Sequence, residues 1–176
     1  MDSVSNVPTL TTERLLLRGF EPRDAEPYMA MMADPEVTRF LADGKPLSRV
    51  DAWRQLAMFA GHWTLKGFGV WAVEERATGE LLGRIGCMEP EGWPGFEIAY
   101  TLARPAWGKG YAREGAAAAL LYARETLDKR DIISIIRPGN AGSIRVATSL
   151  GATPDGTVEF YGALALIYRY PRVAAG

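Results

Sequence analysis

The sequence predicts one domain of the α+β class, in which a mostly antiparallel sheet is flanked by helices. Three strand-like runs in the middle of the chain are joined by short, turn-rich segments, as in an antiparallel meander. Helical patterns lie on both sides of this meander, and repeated βαβ units are absent. The 176 residues are 48% hydrophobic and 23% charged, a composition that suits one ordered core without disulfides or metals.

The part of the chain before the meander carries one strand and two helices. The patterns predict a strand at residues 14–18, a helix at 25–33, a further helical turn at 36–41 and a helix from 48 to 67. The last of these begins with a capping-box pattern at Ser48–Asp51 and ends at Gly67. Its apolar residues recur at helical spacing, which predicts that one face contacts the core. These residues are Trp53, Leu56, Ala60 and Trp63.

The meander and the segments after it complete the predicted fold. The patterns predict strands at 68–73, 81–86 and 96–102, a helix at 111–127, a strand at 132–136, a helix at 141–150 and a closing hairpin with strands at 158–160 and 164–170. The domain is expected to span residues 1–176, with flexible ends at 1–10 and 172–176.

Composition excludes several classes of function. The net charge of −1 argues against a nucleic-acid partner, because a phosphate backbone is normally met by a basic surface. With one cysteine, Cys87, and one histidine, His62, the chain has neither a disulfide nor the ligand spacing of a zinc site. No apolar run approaches the roughly 20 residues of a membrane span. We therefore expect a cytoplasmic, metal-free protein without a membrane partner, either a monomer or a homodimer.

A short glycine turn, Trp107-Gly108-Lys109-Gly110-Tyr111-Ala112, lies between the third meander strand and the long helix. Glycines allow the backbone to turn sharply and to expose successive N–H groups, and the helix adds the positive end of its dipole. The turn therefore suits a phosphate or pyrophosphate. The same pattern also occurs as a tight connection without a ligand, so its neighbouring motifs must decide between the two interpretations.

Two common phosphate-binding patterns do not fit this turn. A Walker loop requires Ser or Thr after Gly-Lys, but Gly110 follows Lys109. A dinucleotide fingerprint requires a third glycine, and Arg113 occupies that position. Its ribose-binding acid should also end the next strand, whereas Asp131 precedes that strand.

A third pattern fits. The segments Tyr100–Leu102, Pro105–Ala112, Asn140–Ser143 and Leu150–Gly151 resemble the core motifs of the GNAT N-acetyltransferase superfamily. The resemblance is closest to its ribosomal-protein N-acetyltransferase-like branch, which also tends to open with a segment like 12–18 and to carry segments like 67–69 and 78–83 on its first hairpin. It covers nearly the whole chain in order.

The resemblance implies a central sheet that is splayed between two strands and that binds acetyl-CoA as cosubstrate. Backbone N–H groups of the glycine turn would hold the pyrophosphate, and the pantetheine arm would enter between the splayed strands. The implied coenzyme contacts are Tyr100, Thr101, Leu102, Trp107, Gly108, Lys109, Gly110, Tyr111, Ala112, Arg113, Asn140 and Ser143. By spacing alone, Lys109 and Arg113 are equally typical of solvated loop charges, and Asn140 is equally typical of a helix cap.

The implied reaction is direct attack of a neutral amine on the thioester, without a covalent enzyme intermediate. Glu97, at the start of the central strand, is the first candidate for the general base, and Glu159 is the second. Many superfamily members carry a tyrosine acid where this chain has Ala147. Ser143 is then the candidate that protonates the departing thiolate. Glu97 also fits a solvent-facing strand residue, and Ser143 fits a helix-start residue that satisfies backbone N–H groups.

The acceptor is expected to be a small-molecule amine or a peptide N-terminus. Phe40, Trp53 and Tyr161 are the candidates for lining its pocket. His62 and Cys87 are expected to be structural rather than catalytic. Two other functions remain open from the sequence: a CoA-binding sensor or regulatory module with little or no catalysis, and a binder of an unrelated nucleotide.

Overall fold

The computed structural model describes residues 7–172. Eight strands form one sheet, with helices on both faces. The strands are β1 (Leu10–Thr11), β2 (Leu15–Arg18), β3 (Val70–Glu75), β4 (Leu81–Met88), β5 (Glu97–Leu102), β6 (Ile133–Ile136), β7 (Thr153–Phe160) and β8 (Ala163–Arg169). The helices are α1 (Ala25–Met32), α2 (Pro35–Thr38), α3 (Arg49–Lys66), α4 (Tyr111–Glu125) and α5 (Ala141–Ser149).

The spatial order of the strands is β1-β2-β3-β4-β5-β6-β8-β7, and every neighbouring pair except β5 and β6 is antiparallel. The mostly antiparallel sheet of the sequence prediction is therefore confirmed. The parallel pair arises because α4 connects β5 to β6 as a crossover, which returns the chain to the same end of the sheet before β6 begins.

Each face of the sheet buries its own group of apolar side chains. On one face, Ile85 and Ile98 pack with the small residues Ala116 and Ala119 of α4. On the other face, α1 and α3 cover β4 and β5, with Phe59 of α3 packed in the same cluster as Met88. The alternation of side chains along a strand thus sends neighbouring residues of β5 into different layers.

The helix boundaries follow the local signals in the sequence. The Ser48 side chain accepts a hydrogen bond from the Asp51 N–H at 3.1 Å, and α3 ends at Gly67 with a φ of 75°. The predicted apolar face of α3 is only partly correct. Trp63 is buried, but Trp53 is 58% exposed and Ala60 is also exposed, because the helix buries Ala52, Phe59 and His62 instead.

The described end of the leader lies on the sheet. Leu10 and Thr11 form β1 against β2, and the Trp71 indole N–H donates to the Pro8 carbonyl at 2.7 Å. This hydrogen bond and the strand pairing hold residues 8–11 on the sheet. The sequence predicts flexibility up to residue 10. The rest of the two expected flexible ends, residues 1–6 and 173–176, lies outside the described residues.

Candidate active site

The sheet opens between β5 and β6. These two parallel strands share a single paired position, Glu97 with Ile133, and beyond it the Ser134 hydroxyl donates to the Ile98 carbonyl at 2.7 Å. From Ala99 onward the β6 side of β5 has no strand partner among the described residues. The splayed sheet that the resemblance implies is therefore present.

Backbone groups of Tyr100 and Leu102 face this opening. The Phe96 and Ile98 carbonyls point toward β6, whereas the Ala103 N–H points toward β4 and donates to Leu82. Because backbone groups alternate in direction along a strand, the even-numbered residues of β5 face the gap. This edge can pair with the amides of an extended ligand.

A cavity of about 140 Å³ lies beside the opening, where the segment after α2, helix α3 and the closing hairpin meet the sheet. Its wall combines apolar side chains with a few polar groups. The residues that line it include Phe40, Gln55, Arg84, Trp93, Glu97, Ala99, Thr101, Ser134, Arg137, Asn140, Ser143, Phe160 and Tyr161. A dry cavity of about 150 Å³ holds a molecule of the size of benzene, so this space suits the reacting ends of two substrates.

Glu97 lies in the cavity wall at the point where β5 and β6 separate. Its side chain is buried, 7% exposed, and is not the solvent-facing strand residue that the sequence left open. The Trp93 indole donates to Oε2 at 2.7 Å and the Ile135 N–H donates to Oε1 at 3.3 Å. Burial raises the pKa of Glu97 to about 7, against the lowering effect of these two hydrogen bonds and of Arg84. A carboxylate with this pKa is suited to accept a proton near neutral pH.

The glycine turn exposes a row of backbone donors. Gly108 and Gly110 have φ angles of 73° and 83°, which favour glycine, and α4 begins at Tyr111. Within residues 7–172, the N–H groups from Gly108 to Arg113 have no hydrogen-bond acceptor. The side chains of Lys109 and Arg113 are exposed and make no ion pair within the same residues. The turn therefore fits a pyrophosphate at the positive end of a helix.

Arg14 holds the glycine turn from the start of β2. Its guanidinium forms an ion pair with Glu114 at 2.7 Å, donates to the Lys109 carbonyl at 2.8 Å and lies 4.5 Å from the centre of the Tyr111 ring. The Tyr111 hydroxyl donates to Glu75. The Tyr111 side chain thus faces β3 rather than the ligand side, and its predicted contact with the coenzyme is limited to the backbone.

Trp107 connects the turn to β5. Its indole N–H donates to the Leu102 carbonyl at 2.8 Å, and the ring is 46% exposed. Thr101, in contrast, is buried on the other face of β5, where it lines the cavity. Trp107, Leu102 and Tyr100 therefore lie along the edge that leads from the glycine turn to Glu97, and Thr101 lies beneath the cavity.

The start of α5 closes the other side of the opening. The Asn140 side chain accepts a hydrogen bond from the Ser143 N–H at 3.2 Å, so Asn140 is the helix cap. The Ser143 carbonyl accepts from the Tyr100 hydroxyl at 2.9 Å. Ser143 lines the cavity, and its hydroxyl has no hydrogen-bond partner within the described part of the chain. It remains available to a ligand, while Ala147 is buried.

Two of the residues predicted for catalysis or for the acceptor pocket lie away from the cavity. Glu159 is exposed on β7, because alternation along the strand turns Phe160 into the cavity and Glu159 toward solvent. Trp53 lies on the exposed side of α3, whereas Gln55 of the same helix lines the cavity. The other two predicted pocket residues, Phe40 and Tyr161, do line it.

The cavity residues that the sequence did not predict include Trp93, Arg84 and Arg137. Trp93 lies in the turn before β5 and stacks edge-on against Phe160 at 4.8 Å. Arg84 is buried on β4. Its position within a mostly apolar, strand-like run is the only indication of this burial in the sequence. Arg137 donates to the carbonyls of Ala42, Phe160, Ala163 and Leu164 at 2.6–3.0 Å. No sequence pattern indicates this clamp.

His62 and Cys87 occupy structural positions. The Glu89 N–H donates to Nε2 of His62 at 3.2 Å, so Nδ1 carries the proton that is donated to the Phe68 carbonyl at 2.7 Å. Burial lowers the pKa of His62 and keeps the ring neutral. Cys87 is fully buried, and burial raises the pKa of its thiol. Neither residue lines the cavity.

Two further classes of site are not found in the described part of the chain. Within residues 7–172, no three His, Cys, Asp or Glu side chains are arranged to hold a metal ion. Over the same range, no helix is both long enough and apolar enough to cross a bilayer.

Known proteins are similar to this chain in both sequence and architecture. The acetyltransferase (GNAT) domain family matches residues 14–153. An uncharacterized N-acetyltransferase, p20 of Bacillus licheniformis, is 31% identical over 87% of this chain and 86% of its own length. The crystal structure of an acetyltransferase from Agrobacterium tumefaciens superposes with a TM-score of 0.85, at 32% identity, over 94% of this chain and 95% of that one.

The fold extends to more distant proteins. The ribosomal-protein-S5-alanine acetyltransferase of Vibrio fischeri has a TM-score of 0.71 at 15% identity and covers 94% of this chain and 97% of that one, which shows a common fold. The splayed sheet, the free N–H groups of the glycine turn and the family match agree with one another. This chain belongs to the GNAT acetyltransferase family and is an acyltransferase.

Proposed function

We propose that the protein is an acetyl-CoA-dependent N-acetyltransferase that moves the acetyl group directly from the thioester to an amine held in the same complex. The observation that carries this proposal is Glu97, a buried carboxylate with a pKa of about 7 in the wall of a cavity at the opening of the sheet. Its position brings a proton acceptor next to the strand edge on which an extended ligand can lie.

The chain supplies a continuous site for acetyl-CoA. The N–H groups from Gly108 to Arg113 donate hydrogen bonds to the pyrophosphate, and Lys109 and Arg113 add positive charge. The open backbone groups of Tyr100 and the N–H of Leu102, whose carbonyl already accepts from Trp107, pair with the amides of the pantetheine arm. In this proposal the thioester lies at the cavity, between β5 and the start of α5.

The reaction then needs three groups from the chain. Glu97 takes a proton from the ammonium form of the acceptor, so that a neutral amine attacks the carbonyl carbon. A backbone N–H on the open edge of β5 stabilises the negative charge that develops on the carbonyl oxygen. The C–S bond breaks as the new C–N bond is completed. The Ser143 hydroxyl donates a proton to the thiolate and is reprotonated by the second proton that the attacking nitrogen loses, while the first proton leaves Glu97 for solvent. Positioning of both substrates supplies the rest of the rate.

The acceptor in this proposal is a small-molecule amine or a peptide N-terminus, and a cavity of about 140 Å³ has space for its reacting end. The S5 alanine acetyltransferase that shares the fold acts on a ribosomal protein, and a peptide acceptor would be consistent with that likeness. The net charge of −1 gives no electrostatic preference for the ribosome.

The test is the release of free CoA from acetyl-CoA in the presence of a panel of amines and short peptides. We expect thiol release that depends on the amine and an N-acetylated product of matching mass. Heat stabilisation by CoA, but not by ATP or NAD, checks the coenzyme site separately. A saturable CoA site with no turnover on any acceptor would instead indicate a sensor or regulatory module.

A further inference from the structure

The cavity contains a buried cation whose hydrogen bonds are incomplete. Arg84 is 7% exposed and lines the cavity from β4. Within residues 7–172 it forms no ion pair, and its Nε is the buried side-chain nitrogen or oxygen that lacks a hydrogen-bond partner. Burial of an incompletely paired guanidinium is unfavourable, so this site gains most from a ligand that completes the pairing.

The neighbours of Arg84 provide only partial compensation. Its guanidinium lies 5.0 Å from the centre of the Phe59 ring and interacts with the Tyr28 hydroxyl. The Tyr28 hydroxyl in turn donates to Gln55 at 2.5 Å. These two partners are neutral. The Glu97 carboxylate interacts with Arg84 electrostatically but forms no ion pair with it within residues 7–172. The planar N–H fork of Arg84 therefore still lacks the paired carboxylate or phosphate that it matches best.

Arg84 and Glu97 share one face of the sheet. The register pairs Arg84 with Thr101 and Met88 with Glu97, so both side chains point into the same layer. Four residues separate Thr101 from Glu97 along β5, or about 13 Å at the rise of an extended strand. Ala99 lies between them on this face and lines the cavity. Its small side chain leaves space between the two long ones.

The charges of the cavity disfavour a simple cationic amine. Arg84 and Arg137 are its two arginines, and Glu97 is its one acidic residue. With a pKa of about 7, Glu97 is only partly ionised at neutral pH. An acceptor that enters as an ammonium ion therefore meets a positive environment, unless the acceptor itself carries an anionic group.

We infer that the acceptor carries a carboxylate on the same molecule as its reacting amine, bound by Arg84 while the amine faces Glu97. This inference rests on the proposed function and names its substrate class. Two sources supply the same chemistry: the carboxylate of a free amino acid, and an acidic side chain next to a peptide N-terminus. The inferred site selects for the negative charge of the carboxylate. Acceptor pairs of the two kinds, amino acids and peptides, distinguish the two sources.

The experiment compares acceptors in pairs that differ only in this charge. Free amino acids are compared with their carboxamides, and Ser-Glu-NH₂ is compared with Ser-Gln-NH₂. We expect kcat/KM to be at least tenfold higher for the charged member of one pair type. In Arg84→Gln we expect the ratio of kcat/KM for charged over uncharged acceptor to fall to about one, with the KM for acetyl-CoA unchanged. In Arg84→Lys we expect part of this ratio to remain, because Lys keeps the charge but not the planar N–H fork.

Arg54→Gln is the matched control, since Arg54 is exposed on α3 and its loss should leave the ratio unchanged. Equal rates with charged and uncharged acceptors, or a ratio that Arg84→Gln does not alter, overturn the inference and leave the proposed function standing. Failure to acetylate any acceptor counts against the proposed function. Heat stabilisation of the wild type by the carboxylate acceptor alone, lost in Arg84→Gln, supports the anion site even then.

Discussion

The indole N–H of Trp93 donates a 2.7 Å hydrogen bond to Oε2 of Glu97, and the two residues lie together in the cavity wall. This bond favours the ionised carboxylate and lowers a pKa that burial raises to about 7. The same indole packs edge-on against Phe160 and Tyr161. Trp93 therefore couples the proton acceptor to the hairpin that closes the cavity.

Trp93→Phe should move the pH dependence of acetyl transfer upward. A hydrogen bond to a charged group contributes about 1.5–3 kcal/mol, so its loss should raise the pKa of Glu97 by about one unit or more. Since the base acts only when deprotonated, the rising limb of kcat/KM should shift from about pH 7 toward about pH 8. A pH profile of both proteins checks this. An unshifted limb would mean that a group other than Glu97 controls the rate.

Glu97→Gln should stabilise the protein above neutral pH. Glu97 has a pKa of about 7 in the folded chain and an ordinary value of 4.5. Between these values the folded state binds more protons, so the free energy of unfolding falls as pH rises and levels off above pH 7. The total change is roughly 3 kcal/mol, and the amide should remove it. Urea unfolding at pH 4.5 and pH 8 measures this change in the free energy of unfolding for both proteins. The same pH dependence in both proteins would show that Glu97 is hydrated in the folded state.

Gly110→Ala should weaken acetyl-CoA binding about tenfold, a change of about 1.4 kcal/mol. Gly110 has a φ of 83°, and an added Cβ would lie 3.3 Å from Nη2 of Arg14, so the substitution disturbs the donors of the turn. Gly79→Ala is the control, because Gly79 has a φ of 74° with open space around it on the β3–β4 hairpin. Both variants should melt earlier, but only Gly110→Ala should change the coenzyme Kd by calorimetry. Equal affinities would remove the turn from the site.

Cys87→Ala should keep its kcat. The thiol is buried, and burial raises its pKa, so it is a poor nucleophile. The substitution should cost roughly 1 kcal/mol of stability through lost packing. Mass spectrometry of the wild-type protein mixed with acetyl-CoA alone should show no acetylated enzyme. An acetyl group on Cys87, or a variant without turnover, would contradict direct transfer.

Arg137→Lys should loosen the closing hairpin. The guanidinium donates to four backbone carbonyls, in the Ala42 loop and on both strands of the hairpin, and a lysine ammonium has too few donors to replace them. We expect the acceptor KM to rise about tenfold and kcat to change less, with faster amide hydrogen exchange at residues 160–164. Arg54→Lys, on the exposed side of α3, should change neither. Unchanged exchange in Arg137→Lys would show that the hairpin does not need the clamp.

Local signals in the sequence predict most of the fold. The capping box at Ser48 and the left-handed glycine at Gly67 fix the ends of α3, and the Gly108–Gly110 turn marks the start of α4. The family motifs also predict that the sheet is splayed between β5 and β6, which share a single paired position. By contrast, β1 forms because the Trp71 indole holds the leader through Pro8, a contact across 63 residues that no local pattern contains.

The candidate site is less predictable, because burial and direction of side chains decide it. Glu97 and Glu159 are both glutamates on strands, yet alternation buries one and exposes the other. Trp53 fits the apolar spacing of α3, but the helix is rotated so that Phe59 faces the sheet. Arg84 and Arg137 become visible as site residues only when the cavity and their backbone or ring partners are known.

The most direct measurement of the central claim is the single-turnover rate of acetyl transfer in Glu97→Gln, with Glu159→Gln as the matched control. Glu97 is buried at the opening of the sheet and Glu159 is exposed on β7. We predict that Glu97→Gln lowers the rate by about 10²–10⁴-fold and leaves the Kd of acetyl-CoA within twofold of the wild type, while Glu159→Gln changes neither. A Glu97→Gln rate close to that of the wild type would contradict the assignment of Glu97 as the general base.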